Sequence, residues 1–452
     1  MTNSRRYLPG LLAVLVVVLQ PACNSDQSNA KPQSDAGAMR DSNQVADTQA
    51  APDLAAQADT KVSPDLGRDS GPDTRAQTET STPRADGAPD ARAGSPEVQP
   101  DAVGPGKDAT PAPDGQTPTD LGGGTAAVQL VGRFDTSDPQ AASFGWSGSA
   151  MIARFDGTGV QIGLDGSPNQ FAVVVDGTVL STLKTTSSGK SYTLASGLSA
   201  GTHDLVLYRR TEGNQGENRY LSLSVTGGQL LAPPARPDRR IEVYGDSISA
   251  GYGIEGKSKD CSFSQDTENA YITYAAIAAR NLGADLHAIV WSGIGMYRNY
   301  GDTGASSDAM PAVYARTLPN VSSSSWSFAT WQPHAVVINL GTNDASTNGD
   351  PGTPYREAYL TFVRNLRQQY PSTFFVLTIG PMLSGDRLSA IKGHIQAVIQ
   401  TRASEGDTSM SFLEFPTQTD ADGYGCDWHP SIAKHAKMAD QLTAELKNRL
   451  GW

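Results

Sequence analysis

The feature that most constrains this chain is a long stretch, residues 24–124, that cannot form a hydrophobic core. It contains 12 of the 28 prolines and three leucines, but no isoleucine and no Phe, Tyr or Trp. So little apolar surface does not offset the conformational entropy that a chain loses when it is ordered. We therefore predict a disordered linker over residues 24–125 and expect residues 126–452, which hold every tryptophan, to fold as two domains.

The linker also holds most of the negative charge. Its 8 basic and 17 acidic residues contribute −9 to the formal net charge of −12. Proline and like charges extend a chain, so we expect a semi-extended spacer without a binding role of its own. Nothing in this charge distribution favours nucleic acid as a partner.

Residues 1–23 have the layout of a bacterial export signal. Two arginines precede an apolar run from Leu11 to Leu19, and the segment ends in Ala22-Cys23. The run is too short to span a bilayer comfortably, and its arrangement is that of a cleaved signal. We predict export, with Cys23 as a lipid anchor at the outer membrane or cell surface. The alternative is an ordinary signal peptide and a secreted protein.

The other two cysteines suggest a cross-link and not a metal site. If Cys23 is acylated, Cys261 and Cys426 remain as an even pair in an oxidising compartment, where a disulfide is the default expectation. Two unrelated buried thiols are the alternative. Two cysteines do not make a structural zinc site, and the six histidines show no metal-ligand spacing. We therefore predict no metal site.

Residues 126–232 read as an all-β sandwich. Short apolar runs alternate with turn signals, among them the hairpin-type pairs Asp156-Gly157, Asp165-Gly166 and Asp176-Gly177. The predicted strands are Val128 to Leu130, Ala150 to Phe155, Val160 to Leu164, Phe171 to Val175, His203 to Tyr208 and Leu221 to Val225.

After a proline-rich joint, residues 238–452 alternate strand and helix patterns, which predicts a three-layer α/β domain with a mainly parallel sheet. The predicted strands are Ile241 to Gly245, Leu286 to Val290, Ala335 to Leu340, Phe374 to Ile379 and Met410 to Phe415. The predicted helices are Glu268 to Leu282, Tyr355 to Gln369, Leu388 to Arg402 and Ser431 to Arg449.

Four groups suited to acyl transfer follow these elements. Ser247, in a glycine-flanked turn after the first α/β strand, is a candidate nucleophile, because ligands bind outside the carboxyl ends of such strands. Gly293 and Asn343 follow the second and third strands and offer a backbone N–H and a side-chain amide to an oxyanion. His429, beside Asp427, offers a base and a carboxylate near the C-terminus. The Gly-x-Ser-x-Gly elbow of α/β-hydrolases is absent from the chain.

In these four blocks the chain resembles the SGNH, or GDSL, hydrolase superfamily, with Ser247, Gly293, Asn343 and His429 matching residue by residue. The resemblance to carbohydrate esterase family 2 covers residues 126–452 and implies a flavodoxin-like SGNH domain preceded by a jelly-roll sandwich. The strings that carry it are Gly-Asp-Ser-Ile-Ser-Ala-Gly-Tyr-Gly (245–253), Trp-Ser-Gly-Ile-Gly-Met-Tyr-Arg-Asn-Tyr (291–300) and Cys-Asp-Trp-His-Pro-Ser (426–431).

The resemblance implies removal of O-acetyl groups from plant cell-wall polysaccharides such as glucomannan or xylan, at the sugar 6-position. Ser247 would attack the acetyl carbonyl and His429 would accept its proton. The N–H groups of Ser247 and Gly293 and the amide of Asn343 would bind the oxyanion. This chemistry needs no metal or organic cofactor, and we expect a monomer that acts on acetylated polysaccharide or oligosaccharide.

The group that orients His429 has two candidates. The superfamily places an Asp three residues before the His, where this chain has Cys426. Asp427 lies two residues before His429 instead, and we expect this acidic residue next to the base to complete a triad. Members of carbohydrate esterase family 2 use either a carboxylate or a backbone carbonyl, and the carbonyl of Trp428 is the alternative here.

Three aromatic residues near these blocks, Trp428, Trp291 and Tyr297, are candidate faces for a sugar ring, with core packing as the alternative. Two other functions stay open. The protein could be a surface-tethered glycan binder, or an SGNH lipase or thioesterase with a large apolar acyl pocket.

Overall fold

The computed structural model of the chain describes residues 127–452. The predicted export signal, Cys23 and the linker lie outside the described residues. Within residues 127–452, no helix is both long enough and apolar enough to cross a membrane.

The first part of the described chain, which we call the β domain (residues 127–231), consists of antiparallel strands in two sheets. Its strands are β1 (Val128–Val131), β2 (Phe134–Asp135), β3 (Ala142–Phe144), β4 (Ala150–Asp156), β5 (Gly159–Gly166), β6 (Gln170–Val175), β7 (Thr178–Lys184), β8 (Ser191–Ser196), β9 (Thr202–Arg209), β10 (Asn218–Thr226) and β11 (Gln229–Leu231). The strand orders are β1-β4-β9-β6-β7, with β11 beside β4, and β2-β3-β10-β5-β8. Buried residues of both sheets form one hydrophobic cluster.

Local sequence accounts for the best-defined hairpin of this domain. Asp176 and Gly177 separate β6 from β7 and have φ angles of 51° and 76°, the left-handed conformations that a two-residue hairpin turn of this kind requires. Asp165 and Gly166, by contrast, belong to β5 itself. Strand β7 was not predicted, because it is a mostly exposed edge strand without a regular alternation of apolar and polar residues.

The second part, the α/β domain (residues 238–452), has a five-stranded parallel sheet in the order β13-β12-β14-β15-β16. Its strands are β12 (Arg239–Gly245), β13 (Ala284–Val290), β14 (Ala335–Asn339), β15 (Phe374–Ile379) and β16 (Met410–Glu414). Its helices are α1 (Ser247–Ala250), α2 (Tyr274–Leu282), α3 (Met310–Val313), α4 (Thr342–Ser346), α5 (Gly352–Gln369), α6 (Gly385–Ser404) and α7 (Ile432–Leu450).

Alternate residues of the central strands enter two different hydrophobic clusters. Val336 and Ile338 of β14 pack with residues of α5 and α6, whereas Ala335 and Val337 pack with residues of α2 and α7. The sheet is therefore covered on both faces, as parallel sheets are. Its carboxyl edge is where the loops after β12, β13 and β14 meet.

One predicted helix begins later than expected. The apolar pattern predicts a helix from Glu268, but regular α-helix begins at Tyr274, after a 3-10 turn over Ala270–Ile272. Thr273 is the N-cap, and its side chain accepts a hydrogen bond from the N–H of Ala276, which fixes the start of α2. Glu268 consequently lies in the preceding loop, where it is fully buried.

A buried ion pair joins the two domains. Arg133 of the β domain donates to Glu242 of β12 at 2.9 Å, and both side chains are inaccessible to solvent. The hydroxyl groups of Tyr244 and Tyr370 also donate to Glu242, each at 2.7 Å. A buried charge needs partners of this kind. Because Arg133 and Glu242 belong to different domains, their ion pair fixes how the β domain packs against strand β12.

Candidate active site

Ser247 lies where β12 ends and α1 begins. The carboxylate of Asp246 caps this short helix by accepting a hydrogen bond from the N–H of Ile248 at 3.0 Å. Gly251 ends it with a φ angle of 84°, in the left-handed region. Because the serine is the first helical residue, its N–H has no intrahelical partner.

The structure brings Ser247 and His429 together. The Oγ of Ser247 lies 2.9 Å from the Nε2 of His429. The Nδ1 of His429 faces two acceptors, the backbone carbonyls of Asp427 at 3.0 Å and Cys426 at 3.2 Å. Nδ1 therefore carries the proton, and Nε2 is free to accept one from the serine. Burial lowers the pKa of His429 to about 4, so the imidazole is neutral at pH 7.

The expected contact between the Asp427 carboxylate and His429 is not what the structure shows. Oδ2 of Asp427 instead accepts hydrogen bonds from the hydroxyl of Tyr252 at 3.0 Å and from the N–H of Phe263 at 2.9 Å. The carbonyl of Trp428, our alternative, accepts from Gln418 at 2.5 Å. Backbone carbonyls do orient the base, but they are those of Cys426 and Asp427, so Asp427 contacts His429 through its main chain.

An unusual backbone turn explains this arrangement. Asp427 and Trp428 have φ angles of 50° and 62°, in the left-handed region that residues with a side chain rarely occupy. The turn is held on one side by the disulfide that joins Cys261 and Cys426, with Cα atoms 4.7 Å apart, which is the pairing that the sequence predicts. The N–H of Asp427 donates to the carbonyl of Cys261 at 2.9 Å, and that of Trp428 to the carbonyl of Lys259 at 3.3 Å.

The predicted oxyanion donors lie in the neighbouring loops. Gly293 has a φ angle of 78°, which explains a glycine at this turn. The Nδ2 of Asn343 donates one of its two hydrogens to the carbonyl of Ile294 at 2.8 Å, which leaves the second for another acceptor. Within residues 127–452, the N–H groups of Ser247 and Gly293 donate to no protein acceptor.

Asp344 supports this region and was not singled out from the sequence. Its buried carboxylate accepts three hydrogen bonds of 2.8 to 2.9 Å from consecutive backbone N–H groups, those of Met296, Tyr297 and Arg298. Burial raises the pKa of Asp344, against the effect of these hydrogen bonds. The sequence feature that could have identified Asp344 is its position directly after Asn343, because a carboxylate just beyond a strand end can accept hydrogen bonds from backbone N–H groups of neighbouring loops.

The three candidate aromatic residues have different surroundings. Trp291 and Tyr297 are half-buried and pack against the hydrophobic cluster that contains α5 and α6, so core packing accounts for much of their surface. Trp428 is likewise half-buried and precedes His429 in the chain, and the Nζ of Lys259 lies 4.1 Å from its ring centre. Tyr252 packs against the His429 ring in a tilted arrangement, with the ring centres 4.3 Å apart and an angle of 35° between the ring planes.

A hydrogen-bonded serine and histidine at the carboxyl edge of a parallel sheet, with glycine and asparagine donors beside them, define a serine hydrolase of the GDSL class. Residues 243–437 match the family model described as GDSL-like Lipase/Acylhydrolase family. Residues 130–234 match the model described as Carbohydrate esterase 2 N-terminal. The chain belongs to carbohydrate esterase family 2, which confirms the resemblance drawn from the sequence blocks.

Solved structures and relatives agree with this membership. A family two carbohydrate esterase from Clostridium thermocellum, solved in complex with cellohexaose, is 43% identical, with a TM-score of 0.70 and coverage of 72% of this chain and 99% of that chain. The Cellulase/esterase CelE of Acetivibrio thermocellus is 43% identical over 75% of this chain, which spans only 41% of its length. An acetylxylan esterase / glucomannan deacetylase of Cellvibrio japonicus is 28% identical over 72% of this chain and 89% of its own length.

Proposed function

We propose that this protein is a serine esterase that removes O-acetyl groups from plant cell-wall polysaccharides, glucomannan or xylan, through an acetyl-enzyme intermediate. The observation that carries the proposal is the 2.9 Å contact between Ser247 Oγ and the neutral His429 Nε2. The names of the Cellvibrio japonicus relatives support the substrate class. We extend the proposal to the sugar 6-position, as the sequence resemblance implies.

In the first half-reaction, Ser247 Oγ attacks the acetyl carbonyl carbon while His429 Nε2 takes its proton. The carbonyl oxygen becomes an oxyanion that the N–H groups of Ser247 and Gly293 and the amide of Asn343 bind. Each well-aimed donor is worth about 2.7 to 4 kcal/mol in the transition state. The imidazolium of His429 then protonates the departing sugar alkoxide, which leaves the acetyl group on Ser247.

In the second half-reaction, a water molecule attacks the acetyl-enzyme by the same route. His429 takes one water proton, the three donors bind the second oxyanion, and that proton returns to Ser247 as acetic acid leaves and ionises in the solvent. Throughout, the carbonyls of Cys426 and Asp427 keep the Nδ1 proton in place, since they accept from that nitrogen in both charge states of the ring.

Substrate assays with Ser247→Ala as the matched control test this proposal. The wild type should release acetate from acetylated glucomannan and xylan and hydrolyse 4-nitrophenyl acetate faster than longer-chain esters. Ser247→Ala should be inactive while keeping the fold and any glycan binding. NMR of partly deacetylated glucomannan would report whether 6-O-acetyl groups disappear first. Substantial turnover by Ser247→Ala would exclude a serine nucleophile, a preference for long acyl chains would favour a lipase, and glycan binding without turnover would favour a glycan binder.

We also propose that the protein is exported and anchored at the cell envelope through a lipid on Cys23. The disulfide between Cys261 and Cys426 supports an oxidising compartment and leaves Cys23 as the odd cysteine of the chain. Mass spectrometry of the mature protein should find an acylated N-terminal Cys23. An unmodified N-terminus beyond this residue would contradict the anchor without affecting the proposed activity.

A further inference from the structure

The loop that carries the Gly293 N–H is held from the β domain. Glu212, in the segment that follows β9, reaches across the domain boundary, and its Oε2 accepts a hydrogen bond from the N–H of Ser292 at 2.5 Å. The ring of Trp146, also in the β domain, packs edge-on against Trp291 with ring centres 6.2 Å apart. Two residues of the β domain thus contact the two residues that precede Gly293.

We propose that Glu212 is a positioning residue for the oxyanion hole, holding the Ser292 amide and thereby aiming the N–H of Gly293. The inference rests on the esterase activity proposed above and assigns the β domain a part in catalysis. On this basis the α/β domain contains the reacting groups, and the β domain completes the geometry of one oxyanion donor.

The hydrogen bonds around the loop show why one acceptor matters. The N–H of Gly293 belongs to the peptide group between Ser292 and Gly293. Glu212 restrains the peptide group before it, and the N–H of Tyr300, which donates to the carbonyl of Gly293 at 2.8 Å, restrains the one after it. The carbonyl of Trp291, which belongs to the same peptide group as the Ser292 N–H, also accepts from the N–H of Ile294 at 3.3 Å, so without Glu212 this peptide group keeps only that longer hydrogen bond. Gly293 has no Cβ and occupies a left-handed φ, so its own backbone opposes rotation weakly.

The surroundings of Glu212 make it a fixed anchor. Its side chain is fully buried, and so is Glu268 of the α/β domain. Burial raises the pKa of Glu212, and burial together with repulsion by Glu212 holds the pKa of Glu268 well above its usual range. Ionising both of these neighbouring buried carboxyl groups is therefore unfavourable. The backbone carbonyl of Glu212 also accepts from the Arg209 guanidinium at 3.0 Å, which fixes the main chain at this point.

A pair of nearly isosteric substitutions isolates the hydrogen bond. Glu212→Gln keeps an oxygen that accepts from the Ser292 N–H, whereas Glu212→Met fills the same volume without a strong acceptor. Glu217→Met is the matched control, because Glu217 also bonds across the domains, to the backbone N–H of Asn320 at 3.1 Å and its Nδ2 at 3.0 Å, but does not contact this loop.

With 4-nitrophenyl acetate at pH 7, we expect Glu212→Met to lower kcat about 10- to 100-fold with KM little changed. The reason is that a misdirected N–H donor loses part of the transition-state stabilisation that deleting the donor would remove entirely. Inactivation by diethyl 4-nitrophenyl phosphate, whose phosphoryl oxygen also needs the oxyanion hole, should slow by a similar factor. Glu212→Gln should stay within about threefold of the wild type, and Glu217→Met should be unchanged. Thermal unfolding of each variant shows that the assayed protein is folded.

Three results would overturn the inference: a folded Glu212→Met variant with wild-type kcat, a rise in KM alone, or equal losses in Glu212→Gln and Glu212→Met. If the Met variant does not fold, Glu212→Asp replaces it, because its carboxylate is one carbon short of the Ser292 N–H. An active wild type with an equally active Glu212→Asp variant rejects only this role. A wild type that hydrolyses no acetyl ester rejects the proposed function as well.

Discussion

Replacing Asp427 by Asn tests what orients the catalytic base, because this change removes the charge and keeps the size. In a serine protease the corresponding substitution lowers kcat by about 10⁴, since the amide selects the wrong imidazole tautomer. In this protein Nδ1 of His429 bonds to the backbone carbonyls of Cys426 and Asp427. The substitution leaves both carbonyls in place, so the tautomer should not change.

The structure also limits the loss in kcat that removal of the Asp427 charge can cause. The Asp427 carboxylate is solvent-exposed, and unit charges interact in water by only about 1 kcal/mol at 4 Å, which corresponds to about fivefold in rate. An Asn side chain still offers an oxygen to the N–H of Phe263, and its amide can donate to the hydroxyl of Tyr252. Asn also tolerates a φ of 50° better than most residues. We therefore expect a loss in kcat of less than about tenfold.

The assay is the measurement of kcat and KM for Asp427→Asn with 4-nitrophenyl acetate and with acetylated glucomannan at pH 7. Asp260→Asn, a loss of charge on the exposed loop next to Cys261, is the control for a general electrostatic effect. Thermal unfolding should show a variant close to the wild type. A loss of 10³ or more in kcat, with KM and stability unchanged, would refute this reasoning and make the carboxylate a member of a triad.

Four further predictions follow from the site and the core. Asn343→Ala should lower kcat for 4-nitrophenyl acetate by about 10² to 10³ with KM little changed, because the amide binds charge that exists only in the transition state. The pH profile of kcat/KM should stay flat from neutral pH to about 5 and fall tenfold per pH unit below about 4. The reason is that His429 must be neutral to act as a base, and burial lowers its pKa to about 4. Cys261→Ser should lower the free energy of unfolding, measured with guanidinium chloride, by about 5 kcal/mol in the chain-entropy model, because the disulfide closes a loop with a sequence separation of 165. Glu242→Gln should cost about 3 to 5 kcal/mol in the same measurement, because it leaves the fully buried Arg133 without its counter-charge.

Each of these predictions has a contrary result. A rise in KM alone for Asn343→Ala would make the residue a substrate contact. An acid limb near pH 6.5 would show that the active-site histidine keeps its ordinary pKa. Two titratable thiols in the unfolded, unreduced mature protein would exclude the disulfide. A loss of less than about 1 kcal/mol for Glu242→Gln would mean that the buried pair adds nothing to stability.

The sequence predicted the features that local pattern encodes. Buried parallel strands are continuous apolar runs, so all five strands of the α/β sheet were placed to within a few residues. The blocks around Ser247, Gly293 and Asn343 were recognised as one site because each follows a strand, and the carboxyl ends of parallel strands meet at one edge. The edge strand β7 escaped prediction because its apolar residues, Val179, Leu180 and Leu183, do not alternate regularly with polar ones and none of its residues is buried.

Contacts between distant segments were decided only by the tertiary structure. The sequence places Asp427 two residues from His429, but two left-handed backbone residues and the link from Cys261 turn its carboxylate away and its carbonyl towards the ring. Glu212 binds the N–H of Ser292, in the loop that carries Gly293, across a separation of 80 residues, and no sequence motif links these two positions. The directions of the Asp427 and Glu212 side chains depend on how two whole domains pack together, and no local sequence pattern determines that packing.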